Sequence, residues 1–172
     1  PNCPSCPMRS ACLAFTRGTQ DRRPVRKGKT EVPHWSVGAA VLRRKGAVLI
    51  ARRPEGHLLG GLWEFPGGKR ERGESLAACV RRELKEELGI TVKVGQPLGT
   101  FSTAYTHYAV TVHAYACRLA SGRLRAREHS AIRWVGPDDL AKFPMGKVDR
   151  SIASLLQELA QETGSAREKC AL

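Results

Sequence analysis

The sequence predicts an α/β protein in which amphipathic helices pack against a β-sheet. Trp35 to Leu42 and Ala47 to Arg52 are two nearly continuous apolar runs around a basic turn, Arg43-Arg44-Lys45-Gly46, as expected of strands covered on both faces. Leu76, Val80, Leu84 and Leu88 recur at helical spacing, as do Ile152, Leu155, Leu156 and Leu159. Between these helices Thr100 to Leu119 alternates as a strand pair. Val110, Val112, Ala114 and Ala116 share one face, and Thr111, His113, Tyr115 and Cys117 share the other.

A chain of 172 residues suits one domain with appendages. Residues 1–14 carry three cysteines. Residues 15–33 are basic, hold Gly and Pro and lack apolar periodicity, so they read as a connector. The folded domain is expected over 34–162, with a flexible tail at 163–172. Within it, Ser75 is placed to N-cap a helix that Gly89 stops. Pro137 to Phe143 reads as a short helix with a Pro start, and Asp149 to Glu162 as a longer amphipathic one. Trp63 and Phe65 read as core; His34 and His57 carry no ligand spacing.

The formal net charge of +13 implies attraction to phosphate, on nucleotides or on nucleic acid. No apolar run approaches membrane-spanning length, so no membrane partner is expected. No secretory signal is visible, and the expected location is cytoplasmic. Cys79, Cys117 and Cys170 read as buried or incidental thiols, without a disulfide framework.

The densest chemistry lies in residues 68 to 90. Glu83, Glu86 and Glu87 fall at i, i+3 and i+4, on one helix face. Like charges so placed repel, by a few tenths of a kcal/mol per pair. A hard divalent cation with oxygen ligands reverses that penalty. The fixed positions are Gly68, five residues, Glu74, seven residues, Arg82-Glu83, an aliphatic residue, Glu86-Glu87, Gly89 and Ile90. This pattern resembles the signature box of the Nudix hydrolases. The resemblance implies a mixed β-sheet sandwiched between helices, with the box as a loop-helix-loop. It also implies that Glu83, Glu86 and Glu87 hold Mg²⁺ (or Mn²⁺), helped by the Gly68 carbonyl, while Glu74 and Arg82 brace the loop. The preceding Leu62-Trp63-Glu64-Phe65-Pro66-Gly67-Gly68-Lys69 is shared by MutT-like nucleotide hydrolases and the C-terminal domain of MutY-type adenine DNA glycosylases.

Three further stretches bear on the substrate. Glu128, before the strand ending in Trp134-Val135, matches a MutT-like acid that reaches the metal site. There it could complete the oxygen cage and accept a proton from the attacking water; otherwise it is an exposed loop charge. Asp149 matches a position that reads the base edge in MutT-like enzymes, and also suits a plain N-cap. Tyr105-Thr106-His107 resembles the Phe-Ser/Thr-His loop by which MutY recognises 8-oxoguanine in DNA. Cys3, Cys6 and Cys12 resemble the last three cysteines of the MutY iron–sulfur loop. A 4Fe–4S cluster then requires a longer parent chain to supply the fourth cysteine. The chain is expected to descend from, or be cut from, such a fused glycosylase.

The resemblance therefore implies an Mg²⁺-dependent hydrolase acting on an oxidised purine nucleoside triphosphate such as 8-oxo-dGTP. Glu83 or Glu128 takes the proton. The alternative is a non-hydrolytic 8-oxoguanine-recognition domain with DNA as its partner, and a third is a Nudix enzyme for another diphosphate.

Overall fold

The computed structural model describes residues 1–23 and 32–169, with side chains up to residue 162. It divides the chain into two compact units, Pro1–Val32 and Pro33–Leu172. The first unit holds short 3₁₀ turns and one single-turn helix, α1 (Leu13–Thr16). Residues 24–31 of the expected connector, and Cys170 with the end of the expected tail, lie outside the described residues.

The second unit is built on a mixed seven-stranded sheet. β1 (His34–Arg44) and β2 (Ala47–Arg52) form a hairpin. Its two turn residues, Lys45 and Gly46, both have positive φ (48° and 81°), as a tight two-residue turn requires. β3 (Trp63–Glu64) pairs with β2, and β4 (Gly67–Lys69) pairs with β1. β5 (Ile90–Ala104) and β6 (Ala109–Gly122) form a long antiparallel pair, and β6 joins β1 in parallel. β7 (Ala131–Val135) completes the other edge against β2. β5 starts ten residues earlier than the alternation at Thr100 suggests, because β-bulges between Thr91 and Gly99 break its period.

Helices cover both faces. α2 (Leu76–Leu88) buries Val80, Leu84 and Leu88 against Ala40, Leu42, Leu49 and Cys117. α3 (Lys147–Lys169) and the 3₁₀ turn Pro137–Lys142 bury Ile152, Leu156 and Leu140 against Val41, Ile50, Val112 and Ala114. The side-chain alternation of β1 feeds the two layers in turn, which is why its apolar run is unbroken. Trp63 and Phe65 are both core residues, and Trp63 meets Phe143 edge-on at 5.2 Å.

Two boundaries differ from expectation. α3 begins at Lys147, so Asp149 lies inside its first turn and is not the N-cap. The same helix runs on to Lys169, through most of the segment expected as a flexible tail.

Candidate active site

The site forms where β4 brings glycines against carboxylates of the second half of α2. The Ser75 hydroxyl accepts the Ala78 N–H at 3.2 Å, and Gly89 ends the helix with a left-handed φ of 68°. Within this capped helix Glu83 and Glu87 are half-buried and turned inward, whereas Glu86 is exposed. The Gly67 N–H donates to Glu87 Oε2 at 3.1 Å. Gly68 lies so close to Glu83 that a Cβ there would stand 2.2 Å from the carboxylate carbon. The Gly68 carbonyl, expected to help hold a metal, accepts the Cys79 thiol at 3.3 Å, which leaves its second lone pair.

Arg82 links the loop to the helix. Its Nε and Nη2 meet both Glu74 oxygens at 3.1 and 3.0 Å, and Nη2 also donates to the Lys69 carbonyl. Nη1 reaches Glu83 at 2.8 Å and Glu86 at 3.3 Å. The Arg82 hydrogen bonds hold the Glu74 carboxyl below its usual range.

Glu128 sits in the loop between β6 and β7, and that loop is fastened to the end of α2. The Arg125 N–H donates to the Leu88 carbonyl at 3.0 Å and the Arg127 N–H to the Glu87 carbonyl at 2.9 Å. The Arg127 guanidinium donates to the Lys85 carbonyl at 3.2 Å and lies over Gly89, where a Cβ would come within 2.9 Å of it. A cation capping a helix C-terminus is favourable there. Glu64, Glu87 and Glu128 thereby line one open cleft of about 410 Å³ with Arg53, His57 and His129. Arg127→Ala is expected to lower kcat about tenfold by releasing the loop that carries Glu128, with KM little changed and a stability loss of about 1 kcal/mol. Steady-state kinetics beside thermal melts check this.

Sequence reasoning missed Glu64. It is buried in β3, between the core residues Trp63 and Phe65. It pairs with Arg53 at 2.5 Å and with His129 Nε2 at 3.0 Å. The available signal was an acid between two apolar core positions, which a fold keeps only when the charge has partners.

Arg53 and Glu64 are also the shared wall to a second, more apolar cleft of about 250 Å³, lined by Trp35, Phe65, Tyr105, Tyr108 and Asp149 among others. Trp35 stacks on Tyr108 at 4.4 Å and Tyr108 on Tyr105 at 4.7 Å. Asp149 Oδ1 accepts the Phe65 N–H at 3.0 Å. The structure therefore brings Tyr105 and Asp149 together. Thr106 and His107 stand outside the cleft, on the exposed turn between β5 and β6.

Burial pushes the Asp149 carboxyl up to about 7, with the nearby Glu64 charge adding to it. A carboxyl whose folded value is raised contributes stability below its unfolded value, lost as pH rises through the folded one. Wild type in chelator is thus expected to lose thermal stability between about pH 5 and about pH 8, and Asp149→Asn to flatten that slope. Melts across this range measure it.

Burial also pushes Glu87 up to about 8, followed by repulsion from Glu64, Glu83 and Glu128. Glu83 is raised by burial and further by Glu86 and Glu128, against the lowering pull of Arg82. Hard oxygen donors that raise one another in this way fit a hard divalent cation, Mg²⁺ or Mn²⁺. They are not drawn into a finished cage, because Arg82 bridges Glu83 and Glu86; among the described residues no three His, Cys, Asp or Glu side chains converge as one. The same holds for Cys3, Cys6 and Cys12, free thiols in the first unit. Three thiols fall short of the four that an iron–sulfur cluster takes, in keeping with the expectation that only a longer parent chain could supply the fourth.

The chain belongs to the Nudix family: the NUDIX domain matches residues 38–155. Among its relatives, the CTP pyrophosphohydrolase of Escherichia coli is 37% identical over 113 residues, covering 66% of this chain and 84% of that one. A Mycobacterium tuberculosis protein named "Putative 8-oxo-dGTP diphosphatase 2" is 36% identical over 138 residues, covering 78% of this chain and 96% of its own. The crystal structure of a MutT protein from Methanosarcina mazei superposes with a TM-score of 0.67 at 27% identity, covering 78% of this chain and 99% of that one.

Proposed function

We propose that this protein hydrolyses oxidised purine nucleoside triphosphates, 8-oxo-dGTP among them, to the monophosphate and pyrophosphate. The observation that carries this reading is the shared wall of Arg53 and Glu64. It sets an aromatic cleft with a base-reading carboxyl, Asp149, directly beside the cleft lined by Glu64, Glu87 and Glu128. A triphosphate with its base between Tyr105, Phe65 and Asp149 extends its phosphates toward the carboxylates. Relatives named 8-oxo-dGTP diphosphatase, one of them with "Putative" in its name, support this substrate, and the reading places the action on the cytoplasmic nucleotide pool.

Glu83, Glu87 and Glu128 would hold the divalent cation, with Glu86 joining them once Arg82 yields it. When bound, the cation neutralises phosphate oxygens and lowers the pKa of the attacking water. Glu83 or Glu128 accepts the proton: Glu128 lines the cleft, and Glu83, against Gly68, feels the charges of Glu128 and Glu87. Asp149, titrating near neutrality, offers the base edge either a donor or an acceptor. Arg82 and Glu74 keep the loop seated on α2.

Pyrophosphate release from 8-oxo-dGTP, dGTP and CTP in Mg²⁺, by wild type and Glu86→Gln, tests this. Release fastest from 8-oxo-dGTP and abolished by the substitution is expected. A preference for CTP, the substrate named for the E. coli relative, would move the reading to pyrimidine triphosphates. One observation favours a second reading, an 8-oxoguanine-recognition domain of a MutY-type glycosylase. Thr106 and His107 are presented outward, where a DNA lesion rather than a free nucleotide would meet them. Absence of release from the whole panel, with binding of 8-oxoguanine DNA lost in His107→Ala, would select it.

A further inference from the structure

The opposite end of the sheet from the catalytic clefts carries a second concave surface. It is a groove of about 980 Å³ whose charged lining is Arg43, Arg44, Lys93 and Arg118, with no carboxylate among the lining residues. Trp35, Val37 and Ala39 of β1 line the aromatic cleft, and Arg43 stands near the end of the same strand, so the two linings are separated along it by roughly 13 Å at their nearest.

The cations form a row. Leu42 and Cys117 are neighbours in the parallel β1–β6 pair, and both point into the α2 layer. The next residues along, Arg43 and Arg118, therefore project to the other face, where Leu159 of α3 also lines the groove. Across β6, Arg118 stands directly opposite Lys93 of β5. Arg43, Arg118 and Lys93 thus follow one another across three adjacent strands, at about 4.8 Å per strand. All three are exposed, and none has an ion pair among the described residues. Like charges directly opposite in an antiparallel pair destabilise a sheet. Arg44, one residue on, turns back to the α2 face, where its guanidinium lies 5.9 Å from the half-buried Trp134 ring packed on that layer.

An uncompensated line of cations matches a line of phosphates. A free triphosphate gathers its charge at one point and is held by enclosure, whereas this groove is open and extended. We propose that the Arg43–Arg118–Lys93 row binds the phosphodiester backbone of a single-stranded nucleic acid. Phosphate contacts position a strand without reading its sequence, and a positively charged groove that tracks the backbone is how sequence-indifferent proteins hold a single strand. This site is independent of the hydrolytic reading.

The test is fluorescence anisotropy of a labelled mixed-sequence single-stranded oligonucleotide with the intact protein, across a salt series. Lys93→Glu places an acid opposite Arg118, so its melting temperature should hold or rise. Its affinity should fall by at least about tenfold at low salt, and the log–log salt slope should shrink by about one to two. Nucleotide hydrolysis should be unchanged. Arg43→Glu should reproduce the loss of affinity. Unchanged affinity in both variants would overturn the proposal, as would displacement of the oligonucleotide by saturating nucleoside triphosphate, which would assign binding to the catalytic cleft. Equal competition by polyglutamate at matched charge would equally overturn it, in favour of an acidic polypeptide.

Discussion

Glu87→Gln is expected to lower pyrophosphate release on the order of 10³-fold while leaving a well-folded protein, a loss of about 4 kcal/mol of transition-state stabilisation. The amide keeps an oxygen for the Gly67 N–H and nearly the same shape, so the β4–α2 contact survives. What it loses is a charge that the fold tolerates poorly. Burial and three neighbouring carboxylates push Glu87 up to about 8, so the ionised form burdens the protein whenever no cation compensates it. The sign of the stability change follows. In chelator the wild type is expected to weaken as pH rises toward about 8, and the variant to be more stable there by roughly 1–3 kcal/mol. Adding Mg²⁺ should reverse the order, raising the wild-type melting temperature and leaving the variant nearly unmoved. Calorimetry at two pH values with and without Mg²⁺, beside steady-state kinetics, checks both halves. A variant both inactive and destabilised in chelator would show that Glu87 serves packing instead.

Gly68→Ala is the second large effect, with a different cause. A Cβ at Gly68 would stand 2.2 Å from the Glu83 carboxylate carbon and its nearer oxygen, so the side chain must move away. A displacement of about 1 Å in a catalytic group costs on the order of 10²-fold in rate. Stability should change by less than about 1 kcal/mol, because Glu83 is only half-buried and its carboxylate can swing outward with Arg82. Gly67→Ala is the contrasting control. Its φ is 149°, and its Cβ would fall 2.1 Å from the Gly38 carbonyl oxygen, a backbone atom that cannot yield. That variant should lose stability first. Melts and kcat measured for the pair separate a misplaced carboxylate from a broken sheet.

Much of this site was legible in the sequence because its information is local. Ser75, Gly89 and the spacing of the glutamates along α2 are all fixed within one helix, and local chemistry alone sets their geometry. The hairpin of β1 and β2 was legible for the same reason. Glu64, Arg53 and His129 were not, since they come from three separate segments and meet only when β3 pairs with β2 and the β6–β7 loop folds back. The inward turn of Glu83 and Glu87 away from Glu86 was hidden too. Their i, i+3, i+4 spacing is one face of a cylinder, but the floor of β4 meets only part of it. Asp149 looked like a cap because the apolar stripe of α3 starts just after it, yet the helix begins two residues earlier and its carboxyl is spent on Phe65. The Tyr105-Thr106-His107 stretch split for a similar reason, the first residue turning into the aromatic stack and the other two out of it.

Arg82 touches Glu74, Glu83 and Glu86 at once, which gives this acidic helix a resident counter-ion. Folding therefore does not wait for a metal. Under the proposed reading, an arriving cation trades places with that guanidinium at Glu83 and Glu86, so part of the free energy of its capture is the difference between two ionic contacts. Such an exchange makes affinity for the bare ion modest and lets a phosphate-borne ion compete best, because the displaced guanidinium then finds phosphate oxygens waiting. Under the proposed reading, the bare ion loads weakly and the ion carried by a nucleotide loads strongly.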